Sequence, residues 1–163
     1  MSRVALALGR YVGPSRTVRG WSRVWAGATS VVLLAVLVIA RRLPPDSRGF
    51  GTHEALGLPP CGFILTSGLP CPSCGMTTAF SNVLHGRLWD AFIAQPAGLV
   101  LCLATMVGAI LAAQIAATGR MVQVNWDSIG PVRLMLGFAL LVVGGWGFKL
   151  AHGFLTGALP AAH

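Results

Sequence analysis

Three long apolar blocks alternate with polar segments along this chain. They cover residues 21–40, 91–117 and 131–150. Each block is long enough, at about 1.5 Å of helical rise per residue, to cross a hydrocarbon core about 30 Å thick. Short alternating runs, which are typical of soluble β proteins, are not the dominant pattern. The blocks therefore predict an all-α integral membrane protein with about three transmembrane helices.

The first block also fits the general pattern of a signal peptide, in which basic residues precede an apolar stretch. Its apolar run is longer than the core of a typical signal peptide. Arg41 and Arg42 follow it, where small cleavage-site residues would stand. These features favour a retained helix. In the second block, Gln95 and Pro96 lie near the start, and proline is tolerated in the first turn of a helix.

A shorter amphipathic helix is predicted over residues 75–85, directly after Cys74. Its apolar face holds Met76, Ala79, Phe80, Val83 and Leu84, and its polar face holds Thr77, Thr78, Ser81, Asn82 and His85. Gly86 is a natural helix stop. The predicted segments are a basic flexible arm (1–20), helix 1 (21–40), a cysteine-motif loop with the short helix (41–90), helix 2 (91–117), a short loop (118–130), helix 3 (131–150) and a tail (151–163).

Composition and charge agree with a bilayer as the solvent. Hydrophobic residues make up 55% of the chain and charged residues only 10%, too few to cover a water-soluble surface. The formal net charge is +8, and much of it precedes the first block, where arginines bind anionic head groups and set topology. The expected partner is therefore the lipid bilayer rather than nucleic acid. Other membrane proteins or a second copy of the chain are further expected partners.

The distribution of basic residues predicts the orientation. Four arginines before the first block and Arg23 near its start, with Arg120 and Arg133 around the second loop, place seven basic residues on one side. Five lie on the other side, namely Arg41, Arg42, Arg48, Arg87 and Lys149. Because the more basic side usually stays in the cytoplasm, the N-terminus is predicted to be cytoplasmic and the cysteine loop extracytoplasmic.

The candidate chemistry lies in that loop, where Cys61, Cys71 and Cys74 are spaced C-x9-C-x2-C. A thiolate is favoured at a helix N-terminus, and it is both the nucleophile of disulfide exchange and a ligand of soft metals. The fourth cysteine, Cys102, lies within the second apolar block, where a free thiol packs as a small hydrophobe.

Three interpretations of the cysteines stay open at this point. They can hold a metal such as zinc with His85 or His53 as a fourth ligand, since structural zinc is tetrahedral. Cys71 and Cys74 can instead form a redox pair with Cys61 as a third partner. A disulfide or buried thiols that only fix the loop is the third interpretation. A transporter is disfavoured, because no ionisable residue falls at mid-span depth in the predicted helices.

The segment from Cys61 to Leu101 resembles the domain-of-unknown-function family 2752, which consists of small bacterial membrane proteins with a CPxCGxTRA-like motif. Here the motif runs from Cys71 to Ala79 as CPSCGMTTA, followed by His85-Gly86 and Gln95-Pro96. The resemblance extends over roughly residues 57–150 and implies a multi-pass protein of the bacterial plasma membrane. Thr78 stands where the family often has arginine, so no role of that arginine transfers to this chain. The family supplies no settled activity.

The favoured function is a non-catalytic membrane protein whose three-cysteine cluster is a structural or metal-binding site, as an accessory subunit of a larger assembly. The cysteine segment from Leu56 to Gly86 lacks a carboxylate to move protons, because Glu54 and Asp90 lie just outside it and Asp46 lies farther away. The alternative is an enzyme, a membrane thiol–disulfide oxidoreductase that uses Cys71 and Cys74.

Overall fold

The computed structural model describes residues 16–121, 130–157 and 159 of the chain. Its elements are, in chain order, β1 (Arg16–Thr17), α1 (Trp21–Arg42), a 3-10 helix (Thr52–Leu56), α2 (Gly62–Ser67), α3 (Met76–Leu84), α4 (Leu88–Ala94), α5 (Pro96–Thr118), β2 (Arg120–Met121) and α6 (Pro131–Leu155). Helices dominate the described residues, and the predicted all-α class is confirmed.

Three of these helices, α1, α5 and α6, are long and apolar enough to cross a membrane. The mean hydropathy of their most apolar stretches is 2.0, 2.3 and 1.8, respectively. Most of the side chains in these stretches are exposed on the isolated chain, as expected for helices that lipid surrounds. The predicted architecture of three transmembrane helices and one short helix after the cysteine turn is confirmed.

The helix bounds differ from the predicted segments in two informative places. The second apolar block is divided into α4 and α5, because Gln95 is extended (φ −168°) and Pro96 opens α5 without an N–H to pair. The third helix continues past the predicted end at residue 150 to Leu155. Lys149 consequently lies inside α6, rather than at its far boundary.

The α1 and α5 helices pack against each other in opposite directions. Near the start of α1, the Arg23 guanidinium donates hydrogen bonds of 2.7 Å to the carbonyl oxygens of Ala116 and Ala117. These carbonyls belong to the last turn of α5, where a cation is favourable. Deeper in the pair, the buried Ser30 hydroxyl donates to the Ala109 carbonyl (3.1 Å). Arg23 therefore joins two helices besides contributing to the charge of the N-terminal side.

The N-terminal arm and the loop after α5 meet at one end of this helix pair. Arg16 and Thr17 form a short antiparallel ladder with Met121 and Arg120, respectively. The predicted flexible arm thus has ordered structure at residues 16–17, while residues 1–15 and 122–129 lie outside the described residues. Because α1 leads away from this end and α5 returns to it, the cysteine segment lies at the opposite end.

The short helix α3 is packed between α1, α4 and α5. Ala79 and Val83 form a buried cluster with Ala91, Ala94 and Cys102, so Cys102 packs as the sequence predicts. A Cβ atom at Gly98 of α5 would lie 2.7 Å from the Ala79 Cβ, a separation that leaves no room for a side chain. The glycine therefore allows α3 and α5 to approach closely.

The predicted polar face of α3 is also largely buried. Thr78, Ser81 and Asn82 are all inaccessible or nearly so. The Ser81 hydroxyl donates to the Leu43 carbonyl (2.6 Å), and the hydroxyl oxygens of Thr78 and Thr52 are 2.9 Å apart. These bonds satisfy polar groups that would otherwise be costly to bury. They also fix the end of α1 and the 3-10 helix against α3, directly beside the cysteines.

Candidate functional site

Cys61, Cys71 and Cys74 come together at the end of the helix pair where α1 stops and α5 begins. Their Sγ atoms all lie within 4.8 Å of one another. The Sγ atoms of Cys71 and Cys74 are 3.0 Å apart, within hydrogen-bonding distance. All three are free thiols, as is Cys102 in the bundle. The structure thus joins the three cysteines that the sequence singles out.

Local backbone structure positions each thiol. Cys61 precedes the first turn of α2, and its carbonyl accepts the Ile64 N–H (3.0 Å). Cys71 and Cys74 stand at the two ends of a turn in which the Cys74 N–H donates to the Cys71 carbonyl (3.0 Å). Pro72 is in the bend, where its fixed φ angle stiffens the chain. The turn holds both thiols on the same side, just before α3.

Gly75 connects this turn to α3 and has no substitute among L-amino acids. Its φ angle is 95°, which L side chains rarely adopt. A Cβ atom there would lie 2.5 Å from the Ala94 carbonyl oxygen and 2.6 Å from the Lys149 Nζ. The glycine of the CPSCG sequence therefore makes room for a lysine from another helix.

Lys149 of α6 lies beneath the cysteine turn with only 8% of its surface exposed. Its Nζ donates to the carbonyl oxygens of Gly49 (3.0 Å), Cys74 (3.0 Å) and Ala94 (2.9 Å). The three acceptors match the three donors of an ammonium group. This side chain joins the segment after α1, the cysteine turn and the end of α4.

Two further contacts, which the sequence does not predict, hold the cysteine turn in place. The Trp146 indole N–H of α6 donates to the Pro70 carbonyl (2.7 Å). The fully buried Gln95 side chain donates from Nε2 to the Pro72 carbonyl (2.7 Å). The backbone on both sides of Cys71 is thereby fixed from α6 and from the α4–α5 junction. The sequence signals for these contacts are two residues with polar donors, Trp146 and Lys149, in a mostly apolar helix.

The Cys71 and Cys74 thiols have opposite pKa shifts. Burial works against the thiolate of Cys71, but hydrogen bonds from Ser73, Cys74 and Cys61 outweigh it and lower the pKa of Cys71 from 9.0 to about 7. Burial, together with hydrogen bonds to Cys71 and Cys61, raises the pKa of Cys74 from 9.0 to about 12. Near neutral pH, Cys71 is the reactive thiolate and Cys74 stays protonated.

The thiols face an open cavity of about 290 Å³ whose wall includes Cys61, Cys71, Cys74 and His53. His53, from the 3-10 helix, is therefore placed where it can serve the same site. The structure does not bring His85 there. That residue ends α3 on the side away from the cysteines, and its Nδ1 lies 2.8 Å from the Ser81 carbonyl oxygen.

Two carboxylates beside the cavity, those of Asp46 and Glu54, belong to an ion-pair group around Gly51 of its wall. Arg48 binds Asp46 at 2.7 Å and Glu54 at 3.1 Å. The hydrogen bond from Arg48 holds the pKa of Asp46 below its usual value. Both carboxylates are thus paired with Arg48.

Residues 61–109 match the family model described as "Protein of unknown function (DUF2752)". This segment is similar to that family. The match confirms the resemblance seen in the sequence, over a shorter range than residues 57–150. It covers the three cysteines, α2, α3, α4 and the first half of α5. Neither the curated proteins nor the solved structures contain a match to the chain.

The parts of the DUF2752 motif that are separated in sequence meet in space. Gln95 of the Gln-Pro pair donates to Pro72 of the cysteine turn, and Gly75 accommodates the lysine that also binds Ala94. At Thr78, where the family often has arginine, this chain has a fully buried hydroxyl paired with Thr52. These contacts fix the geometry of the site, and the family description assigns no activity.

Proposed function

We propose that this protein is a membrane thiol–disulfide oxidoreductase in which Cys71 and Cys74 form the redox pair. The observation that carries the proposal is the 3.0 Å separation of two free thiols at the two ends of a rigid turn. Cys71 is partly exposed to the cavity, whereas Cys74 is only 8% exposed. An accessible thiol beside a shielded one is the arrangement that attack and resolution require.

The exchange proceeds in two balanced steps. The Cys71 thiolate attacks a partner disulfide, so that a bond forms between Cys71 and one partner sulfur while the other partner sulfur leaves as a thiolate. Cys74 then loses its proton and attacks the Cys71 sulfur, which releases the second partner thiolate. The pair ends as a disulfide and the partner as a dithiol. The same steps in reverse oxidise a partner dithiol.

The environment of the pair supports these steps without a carboxylate. The low pKa of Cys71 supplies a nucleophile near neutral pH. His53, on the wall of the same cavity, is a suitable acceptor for the Cys74 proton because an imidazole nitrogen can serve as a general base. Cys61 is close enough to both thiols to act as a third exchange partner. The lack of a loop carboxylate therefore does not exclude catalysis.

The proposed setting is the plasma membrane of a bacterium, with the N-terminus in the cytoplasm. Arg16, Arg19, Arg23 and Arg120 lie at the end of the helix pair opposite to the cysteines. A basic cluster on this side favours its retention in the cytoplasm. The thiols would then face the extracytoplasmic side, where disulfides form and persist.

A thiolate metal site is the second candidate, and the three converging Sγ atoms support it. Cysteine thiolates are preferred zinc ligands, and a closed structural site needs four ligands. His53 is the candidate for the fourth position because it lines the same cavity, whereas His85 lies at the other end of α3. In this case the cluster would have a structural role, and the chain would be a subunit of a larger membrane assembly.

Trapping of a mixed disulfide tests the oxidoreductase proposal. In cells that express Cys74→Ser, Cys71 should remain bonded to its partner, because the resolving thiol is missing. Non-reducing gels should show adducts that disappear on reduction and are absent from the double variant Cys71→Ser/Cys74→Ser. Cys102→Ser is the matched control, since Cys102 is buried in the bundle away from the cavity. The absence of any Cys71-dependent adduct would contradict the proposal.

A further inference from the structure

A second cavity, which the thiol chemistry leaves unused, lies between the end of α1 and α3. It is a groove of about 310 Å³, lined almost wholly by apolar side chains: Val36, Ile39, Ala40, Leu43, Leu56, Met76, Thr77 and Phe80. The α1 residues recur every three or four positions and so form one face of that helix. The groove is large enough for a substituted six-membered or bicyclic ring, which fits the size range of small-molecule sites.

The groove adjoins the cysteine cavity. Met76 and Thr77, in the first turn of α3, line both spaces. Only the first turn of α3 therefore separates the groove from the cavity that holds the thiols. Thr77 is also the polar residue in the groove wall, and its hydroxyl can donate a hydrogen bond to a carbonyl oxygen.

The groove is placed to receive its ligand from the bilayer. Its α1 residues lie in the last two turns of that helix, immediately before Arg41 and Arg42, which mark the edge of the hydrocarbon. Val36 and Ile39 are exposed on the lipid-facing surface of the span. A lipid-soluble molecule can thus enter sideways with its ring at the membrane boundary and its tail among the acyl chains.

We propose that this groove binds the ring of a lipid-soluble quinone, which accepts the electrons of the Cys71–Cys74 pair. The inference rests on the proposed oxidoreductase function. It also sets the direction of thiol–disulfide exchange, in which the protein oxidises its partners. The two thiols lose two electrons and two protons and form one S–S bond, and the quinone gains both and becomes a hydroquinone. The oxidised pair then oxidises partner dithiols. An acyl chain would fill the same apolar space but would make no use of the adjacent thiols or of Thr77.

Quinone-driven oxidation of the purified, reduced protein tests this inference. Decylubiquinone is added in detergent, and formation of the disulfide and loss of quinone absorbance are followed together. Val36→Trp, which fills the groove, should slow the oxidation about tenfold or more, equivalent to about 1.4 kcal/mol of lost binding or more. Val38→Trp is the matched control, because Val38 is similarly exposed on α1 (55% against 42%) and lies outside the groove.

Oxidation of the same proteins by glutathione disulfide distinguishes the quinone site from the redox pair, because glutathione disulfide reaches the thiols from water. Both tryptophan variants should be oxidised by glutathione disulfide at the rate of the unaltered protein, which would show that the substitutions leave the redox pair itself unchanged. If glutathione disulfide oxidises the pair but decylubiquinone does not, or if both variants slow the quinone reaction equally, the quinone site is wrong and the redox pair stands. If neither reagent forms the disulfide, the oxidoreductase proposal fails, and the quinone site fails with it.

Discussion

At Cys71 and Cys74, identical side chains three positions apart acquire different chemistry from their surroundings. Cys71 lies at the cavity with the Ser73 hydroxyl 3.3 Å from its sulfur. Cys74 is buried against Phe50 and Ile64, so its charged form is poorly solvated. The spacing of the cysteines predicts a pair, but neither spacing nor residue type indicates which thiol is shielded. Burial decides that, and burial depends on parts of the chain that are distant in sequence.

Ser73→Ala should make Cys71 less acidic. The thiolate of Cys71 reacts with iodoacetamide, so its alkylation rate should rise as the pH increases through about 7. Removal of the Ser73 hydroxyl removes one hydrogen bond to that thiolate, and the midpoint should move to higher pH. Peptide mass spectrometry of timed alkylation measures the midpoint at each cysteine. Cys74 should stay unreactive across the same range, since its pKa is about 12.

Ser67→Ala is the control for this experiment, because the Ser67 hydroxyl bonds to the Phe63 carbonyl and the Leu69 N–H rather than to a sulfur. It should leave the Cys71 midpoint unchanged. If the alkylation midpoint of Cys71 in the unaltered protein lies near the ordinary thiol pKa of 9.0, the hydrogen bonds around Cys71 do not stabilise its thiolate.

Among the elements, α6 has the largest unpredicted role. It packs less closely on the bundle than α1 and α5 pack on each other, yet it supplies Lys149 and Trp146 to the cysteine turn. Hydropathy predicts α6 correctly as a span, because its apolar run is long. Hydropathy cannot show what a lone lysine binds, because the three carbonyl acceptors come from separate segments of the chain.

Lys149→Met should destabilise the cysteine turn more than any lipid-facing substitution in α6. The change removes the donor from three carbonyl oxygens, and each unsatisfied buried group costs about 1–3 kcal/mol. We expect a loss of about 3 kcal/mol or more in the free energy of unfolding on that basis. Thermal unfolding in detergent, followed by tryptophan fluorescence, measures the change. Val143→Met is the matched control, because Val143 is exposed on the same helix. Equal midpoints for the two variants would contradict this role of Lys149.

The short helix α3 shows which structural features the hydrophobic periodicity of the sequence can predict. The apolar face of α3 and its stop near Gly86 follow from the sequence, and the structure has this helix at Met76–Leu84. Its buried polar face does not follow, because Thr78 and Ser81 are buried through bonds to Thr52 and Leu43, which precede them by many residues. The periodicity of the sequence separates apolar from polar positions. It cannot show whether a polar side chain is exposed to water or hydrogen-bonded in the protein interior.

For the whole molecule, the sequence predicts the class, the number of spans and the three cysteines of the site. Those features depend on composition and local spacing, which are visible in one dimension. The sequence offers His85 or His53 as a fourth ligand, and the fold places His53 rather than His85 on the cavity wall. It also places Gln95 and Lys149 beside the cysteine turn. Such contacts require the three-dimensional arrangement of α4, α5 and α6.

The state of Cys71 and Cys74 in purified protein tests the central claim most directly. The protein is equilibrated in detergent with mixtures of reduced and oxidised glutathione, alkylated, and analysed by mass spectrometry, while elemental analysis measures bound metal. We expect a disulfide between Cys71 and Cys74 that forms and reopens reversibly, with no stoichiometric zinc. Stoichiometric zinc that protects the three thiols from alkylation, and that Cys71→Ser removes, would contradict the redox pair and establish the metal site instead.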